Sequence, residues 1–173
     1  MKTGYVVMAG MIFLSLISVY PSWSEEPVKD SQFAFTDKPN QEMLFLQLRR
    51  SLTSRANPAE VQKAKFGIAE YYFMHQDLLD AFRAFKEYTD VYPPQASSLL
   101  AKIYLYKIAS LKKDAETAAS LRKEMFVSSF VLLFSKFKIL PYRSVFDNRY
   151  EIHYYLDKIQ VFLNGGKFEE ITP

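Results

Sequence analysis

The central part of the chain has apolar residues at spacings of three and four, which is the period of a helix with one buried face. Leu44, Leu48 and Leu52 follow this period, and Asn40 stands where an N-terminal cap is needed. The pattern therefore predicts a helix from Asn40 to about Ser54.

A stronger helix start follows at residues 57–60, with the sequence Asn-Pro-Ala-Glu. It combines a capping side chain, a proline at the first helical position and a glutamate at the third, each of which is favoured there. We expect this helix to run to about Gln76. A second helix is predicted from Asp77 to about Tyr92, because Pro93-Pro94 cannot continue it.

The apolar spacing continues after the two prolines. Ser97 or Ser98 can cap a helix that the run Lys112-Lys113-Asp114 then ends, and a further helix is predicted from Ala115 through Phe137. Residues 126–140 are apolar enough to suggest a membrane span, but serines and lysines interrupt them. A buried or interface helix is therefore the favoured interpretation.

The C-terminal part of the chain changes period. Residues 149–155 and 159–163 alternate between apolar and polar side chains, and the Asn-Gly-Gly sequence at 164–166 is a tight-turn signal before 167–171. The alternative is a helix over 156–163 that ends at the Asn-Gly pair. The β-branched content and the turn favour a small β-meander.

The N-terminus has the composition of an export signal. Lys2 precedes the uncharged stretch 5–20, and Ser22 and Ser24 fit the small-residue positions of a cleavage site before Glu25. An uncleaved membrane anchor is the alternative, but 16 uncharged residues fall short of the roughly 20 that cross a bilayer. We expect cleavage, and no stable membrane span afterwards.

Composition narrows the possible functions. With 173 residues, 49% hydrophobic and 24% charged, the chain is typical of one globular domain of ordinary size. The absence of cysteine excludes disulfides, thiol chemistry, cysteine-bound metals and a bacterial lipoprotein. A net charge of +3 gives no electrostatic reason to expect nucleic acid. A cysteine-free exported chain suits a Gram-negative-type periplasm, or secretion.

These patterns divide the chain into four parts. Residues 1–24 are the predicted signal peptide, 25–39 a polar flexible lead, 40–140 a helical domain and 141–173 a C-terminal β-hairpin or meander. The predicted fold class is mainly α, with antiparallel helical hairpins followed by a small sheet.

Residues 62–95 resemble one unit of the tetratricopeptide repeat family, in which two antiparallel helices lock together through small and aromatic side chains. The matching positions lie in both predicted helices and at their end: Ile68, Ala69, Tyr72, Ala81, Phe85 and Pro93. The ending at 85–93 is similar to repeats of periplasmic outer-membrane assembly lipoproteins and of the TolA-binding family, whereas Lys65 and Tyr88 depart from the repeat pattern. The resemblance implies a short α-solenoid, with a diverged second unit and the tail as a polar end cover.

The resemblance also implies a partner-binding groove on the first helix of the unit. The positions that the packing residues leave free are Lys63, Phe66, Glu70 and Phe73. Phe66 and Phe73 are seven residues apart and therefore share a helix face. Either they anchor a peptide or helix in the groove, or both belong to the core beneath the N-terminal helix.

Candidate catalytic or metal-binding residues are few. His75 and Asp77 fall in the predicted turn between two helices, with no second histidine at helical spacing. His153 falls on the outer face of a predicted strand. The adjacent glutamates at 25–26 and 169–170 point in different directions, which makes them poor acid–base partners. We therefore expect no enzyme, no cofactor and no metal.

The sequence thus favours an exported scaffold or adaptor that binds a protein or peptide partner in the cell envelope. Family analogy suggests envelope or surface-polymer assembly as its setting. The alternatives are a small-ligand binding protein with an aromatic pocket and, less favoured, an envelope hydrolase. Self-association through apolar repeat ends is a further expectation.

Overall fold

The computed structural model describes residues 33, 37–53, 57–134 and 139–173. Within these residues lie six helices followed by four strands, so the described chain is mainly helical with a C-terminal sheet. The predicted signal peptide and most of the predicted lead lie outside the described residues.

The first five helices pack against one another in the order in which they occur along the chain. They are α1 (Lys38–Thr53), α2 (Pro58–Met74), α3 (Leu78–Val91), α4 (Ala96–Leu111), α5 (Ala115–Met125) and α6 (Ser128–Phe134). Each of the first four packs on the next, and short connections make such neighbours antiparallel.

Side-chain caps explain where three of these helices begin. Asn57 Oδ1 accepts from Ala59 N at 3.0 Å, directly before the proline that opens α2. Asp77 caps α3 and Asp114 caps α5 in the same way. The predicted starts at Asn57 and Asp77 and the predicted break before Ala115 are confirmed.

The predicted cap of α4 is wrong. The helix begins at Ala96, and Gln95 occupies the cap position in an extended conformation without a side-chain bond. Ser97 and Ser98 have other bonds: Ser97 Oγ accepts from Tyr88 Oη at 2.8 Å, and Ser98 Oγ donates to Pro93 O at 2.7 Å. Both hydroxyls bind the end of α3 and the turn after it.

The long helix predicted from Ala115 through Phe137 is also wrong. Helix α5 ends at Met125, and α6 is a separate short helix whose buried side chains, Phe130 and Phe134, are one turn apart. The ring of Phe134 lies 5.6 Å from that of Tyr154 in the sheet. The break at residues 126–127 separates the two helices, and aromatic rings on both sides of it, Phe126 and Phe134, lie against Tyr154 of the sheet.

The sheet is a four-stranded antiparallel meander, which confirms the β interpretation of the tail. Its strands are β1 (Ile139–Arg143), β2 (Arg149–Tyr154), β3 (Ile159–Leu163) and β4 (Gly166–Ile171), in that spatial order. The first strand was not predicted and begins two residues inside the expected helical domain. A tight turn over Asn164 and Gly165, both with positive φ, joins β3 to β4.

The inner face of the sheet covers the helices from one side. Register places Tyr142 opposite Tyr150, and Tyr150 opposite Leu163, so these side chains form one apolar row toward the helices. Because both α2 and α4 contact this row through Phe66 and Tyr104, the sheet lies across the helices and not at the end of their row. Helices and sheet share one continuous core.

Candidate functional site

Three of the four residues predicted to line a groove are buried beneath the sheet. The ring of Phe66 lies 5.0 Å from that of Tyr142 in β1, and Phe73 lies 6.4 Å from Phe168 in β4. Glu70, between them on the same face of α2, is hydrogen-bonded to residues of the β1–β2 region. The chain's own sheet therefore covers this face of α2.

Lys63 is the one exposed member of the predicted groove. The burial of Phe66 and Phe73 favours the interpretation that they belong to the core, and it corrects the expectation of an open groove at these positions. The core interpretation expected the N-terminal helix alone to cover Phe66 and Phe73. The sheet supplies most of it, and no local sequence pattern indicates which face of α2 a distant sheet covers.

The predicted repeat-packing positions lie where two hairpin helices meet. Ala69 in α2 and Ala81 in α3 are both fully buried, and these helices pack directly on each other. The ring of Phe85 stacks on Tyr104 of α4 with centroids 4.5 Å apart. Of the remaining positions, Ile68 is buried and Tyr72 is half-buried in α2, and Pro93 is exposed after α3.

A buried polar cluster occupies the centre of the helix–sheet contact. Tyr150 Oη donates to Glu70 Oε1 at 2.5 Å, and Asn148 Nδ2 donates to the same oxygen at 2.8 Å. Because the single Tyr150 proton goes to Glu70, Tyr104 Oη must donate to Tyr150 Oη, which is 2.5 Å away. These four residues, here called the Glu70 cluster, connect α2, α4 and the sheet.

The Glu70 carboxyl is only half satisfied. Its Oε2 has no hydrogen-bond partner among the described residues, and Ser144 faces the carboxyl without bonding that oxygen. Burial raises the pKa of Glu70 from 4.5 to about 7, although Tyr150, Asn148 and Ser144 lower it. Burial also raises the pKa of Tyr104 and Tyr150 well above the usual tyrosine value, so both stay neutral.

Because Gly67 has no side chain, the connection between β1 and β2 lies close enough to α2 for Asn148 to reach Glu70. A Cβ at position 67 would lie 2.4 Å from Val145 Cγ2, so a larger residue does not fit there. The connection also holds itself in shape, since Ser144 N donates to Asn148 O at 2.9 Å. This bond within the loop helps to hold the conformation in which Asn148 reaches the carboxyl.

Sequence patterns identified Glu70 but not its partners. Tyr150 was predicted only as part of the alternating segment 149–155, and neither Tyr104 nor Asn148 was predicted as a polar partner. Periodicity records which face a residue takes and contains no information about hydroxyl groups that meet across distant elements. The available signal was Glu70 itself, because a carboxyl on the face of Phe66 and Phe73 needs buried donors.

Both histidines have ordinary structural surroundings. His75 ends α2 in the predicted turn, with its ring 4.0 Å from that of Tyr71 and Nδ1 3.0 Å from the Tyr71 carbonyl oxygen. His153 lies on the outer face of β2, 4.9 Å from the Phe162 ring and 3.6 Å from the Glu151 carboxylate. Residues 33, 37–53, 57–134 and 139–173 contain no group of three metal-ligating side chains.

An open cleft of about 180 Å³ lies between the α3–α4 turn, α4 and the α5–α6 junction. We call it the α3–α6 cleft. Lys102 and Glu124 form an ion pair at its polar side. Its apolar side is formed by four residues: Tyr92, Pro94, Val127 and Phe130.

The cleft is followed along the chain by exposed apolar side chains of α6, one of which is the most exposed large apolar side chain of the described helices. Val127, which lines it, is 41% exposed, and Leu132 and Leu133 of α6 are 77% and 46% exposed. Contiguous exposed apolar residues with a polar surround are a common property of interaction sites.

No family profile, curated protein or solved structure matches the chain significantly. None of the helices in the described ranges is long and apolar enough to cross a bilayer.

Proposed function

We propose that the chain is an exported protein-interaction module, not an enzyme, and that it binds a protein or peptide in the cell envelope. The α3–α6 cleft is the observation that carries this proposal. Its apolar wall and its Lys102–Glu124 ion pair have the anatomy of a protein interface, with an apolar centre and a polar rim. Val127, which lines it, is exposed, as are Leu132 and Leu133 in the helix that follows.

The helices are proposed to form two tetratricopeptide-like units, α2–α3 and the diverged α4–α5. The contact of each helix with the next supports this arrangement, as does the complete burial of Ala69 and Ala81. Export to the periplasm, or secretion, rests on the signal-like sequence of residues 1–24. Envelope or surface-polymer assembly rests on family analogy alone.

The cleft suits one large apolar side chain of a partner segment. Tyr92 offers a partly exposed aromatic surface to such an anchor, and the ion pair at the polar side offers charges of both signs to the partner's polar backbone. A single aromatic or aliphatic anchor in a desolvated pocket commonly contributes most of the binding energy of an interface.

Site-specific photo-crosslinking in cells tests this function. A photoreactive amino acid replaces Val127 in the cleft, and a matched variant carries it at Met43, an exposed apolar position of α1. We expect a discrete protein adduct in the envelope fraction from position 127 and none from position 43.

Adducts that are the same at both positions, or absent at position 127, contradict the interaction module. If no protein is captured and native mass spectrometry finds a small molecule bound to the purified chain, the ligand-binding alternative replaces it. A Lys102→Glu variant, which breaks the ion pair at the cleft, should reduce the adduct at position 127 by several-fold.

A further inference from the structure

The β1–β2 hairpin, residues 139–154, docks on α2 through a small set of contacts. Val145 packs against Gly67, and the ring of Tyr142 lies 5.0 Å from that of Phe66. Between these apolar contacts Tyr150 Oη and Asn148 Nδ2 both donate to Glu70 Oε1, and Asn148 Nδ2 also lies 3.8 Å from Met74 Sδ. The Glu70 carboxyl is therefore the ionisable group through which α2 bonds the hairpin among the described contacts.

Among the described residues, only neutral groups face that carboxyl. The ionisable side chains that feel its charge are Tyr104 from α4, Tyr142 from β1 and Tyr150 from β2. Burial raises the pKa of all three, so they carry no charge at neutral pH. The α3 side adds the neutral Tyr88, which lies against Phe66.

No cation compensates the carboxylate. Across the described ranges, no Lys, Arg or His side chain forms a hydrogen bond or ion pair with Glu70, and its Oε2 is buried without a partner. An ionised carboxyl in this position has only the neutral Tyr150, Asn148 and Ser144 in place of water among the described residues, which is costly in a protein interior.

We propose that Glu70 is a proton-operated latch: the protonated carboxyl holds the β1–β2 hairpin on α2, and the ionised carboxyl releases it and uncovers Phe66. The device lies apart from the α3–α6 cleft and does not depend on the proposed function. It makes the exposure of an aromatic helix face respond to the pH of the surrounding compartment.

The direction of the response follows from the two states of the carboxyl. In the open hairpin Glu70 meets water and has an ordinary pKa of 4.5, whereas burial raises the pKa of the docked carboxyl to about 7. The stabilisation is fully present below pH 4.5 and is lost as pH rises to about 7. Over that interval the opening constant should rise roughly tenfold per pH unit, and then level off.

Native-state hydrogen exchange of the full chain measures this opening directly. Protection of the β2 amides, Arg149–Tyr154, is followed from pH 5 to pH 8 after correction for intrinsic exchange, with the α3 amides, Leu78–Val91, as the internal reference. We expect β2 protection to fall about tenfold per pH unit up to about pH 7, through openings that leave α3 closed.

Substitution of the carboxyl separates the latch from general pH effects. Glu70→Gln keeps an oxygen acceptor for Tyr150 and Asn148 and cannot ionise, so β2 protection should become independent of pH. Glu87→Gln, at an exposed carboxyl of α3 that pairs with Lys65, is the matched control and should keep the wild-type profile.

Two results overturn the latch: a wild-type β2 profile without pH dependence, or β2 amides that exchange only together with α3 at every pH. If Glu70→Gln does not fold, Tyr150→Phe replaces it. That change removes a bond that lowers the pKa of Glu70, so the loss of protection should extend above pH 7. An unchanged window in Tyr150→Phe also refutes the proposal.

Discussion

At the scale of single residues, a missing side chain at Gly67 decides how closely the hairpin approaches α2. Gly67→Ala places a methyl group 2.4 Å from Val145 Cγ2 and 3.0 Å from Leu48 Cδ1. Overpacking of this kind costs about 1–3 kcal/mol, which exceeds the helix propensity of about 1 kcal/mol that alanine gains over glycine. Urea denaturation should therefore show a net loss of up to about 2 kcal/mol of unfolding free energy.

The control for this prediction is the same change in a Val145→Ala background. With the valine methyl groups removed, the main clash is gone, and the helix propensity of alanine remains. Gly67→Ala should then be neutral or stabilising. A destabilisation of equal size in both backgrounds contradicts the close contact between Gly67 and Val145.

The residues of the site were predictable from sequence only in part. The seven-residue spacing of Phe66 and Phe73 correctly placed both on one face with Glu70. What covers that face was not predictable, because Glu70 and Tyr150 are 80 positions apart in sequence. Local periodicity records the orientation of a residue within its own element, whereas this pairing is set by how the sheet docks.

At the scale of secondary structure, capping residues predicted the helix boundaries better than apolar spacing did. Asn57 and Asp77 marked two helix starts correctly because their side chains bind backbone amides one turn or less away. The spacing of the phenylalanines after Ala115 suggested one long helix. Apolar spacing within a segment does not indicate a helix break that is set by packing against a distant sheet. Strand β1 was not predicted because it contains Pro141. A proline is tolerated in a sheet only on an edge strand, and β1 is one.

Three helices meet at one tyrosine hydroxyl. Tyr88 Oη of α3 donates to Ser97 Oγ of α4 at 2.8 Å and accepts from Gln62 Nε2 of α2 at 2.9 Å. Tyr88→Phe removes both bonds and leaves the buried serine without its donor. We expect it to cost roughly 1–2 kcal/mol in urea denaturation.

Tyr92→Phe is the matched control for this change. Tyr92 is one turn further along, its ring is 4.7 Å from that of Tyr88, and its hydroxyl makes no hydrogen bond within the described chain. Its removal should change the unfolding free energy by less than about 0.5 kcal/mol. Equal losses in the two variants contradict a specific role for the Tyr88 hydroxyl in joining the helices.

At the scale of the whole molecule, the sheet is part of the helical core. Its last strand is attached to α4 by Lys107, which donates to Phe168 O and Glu169 Oε2, each at 3.0 Å. A bulge between Val161 and Phe162 leaves Phe168 without a partner in register and directs its ring inward. Because Pro141 interrupts the other edge, neither edge strand presents an uninterrupted row of free backbone groups.

Phe168 tests whether helices and sheet unfold together. Its buried ring lies 5.2 Å from Tyr104 and 6.4 Å from Phe73, so Phe168→Ala opens a cavity between the sheet and two helices. The expected cost is about 3–5 kcal/mol. Since the core is continuous, circular dichroism of the helices and of the tyrosines should show the same lowered midpoint.

Phe162→Ala provides the comparison, because Phe162 lies on the neighbouring strand with its ring toward His153 on the outer face. Removing a half-exposed ring there creates no cavity between layers and should cost about 1 kcal/mol or less. If Phe168→Ala shifts the tyrosine signal and leaves the helix signal unchanged, the sheet unfolds on its own. The helices would then keep Phe66 and Phe73 folded but uncovered, and the sheet would be a detachable cover instead of half of one core.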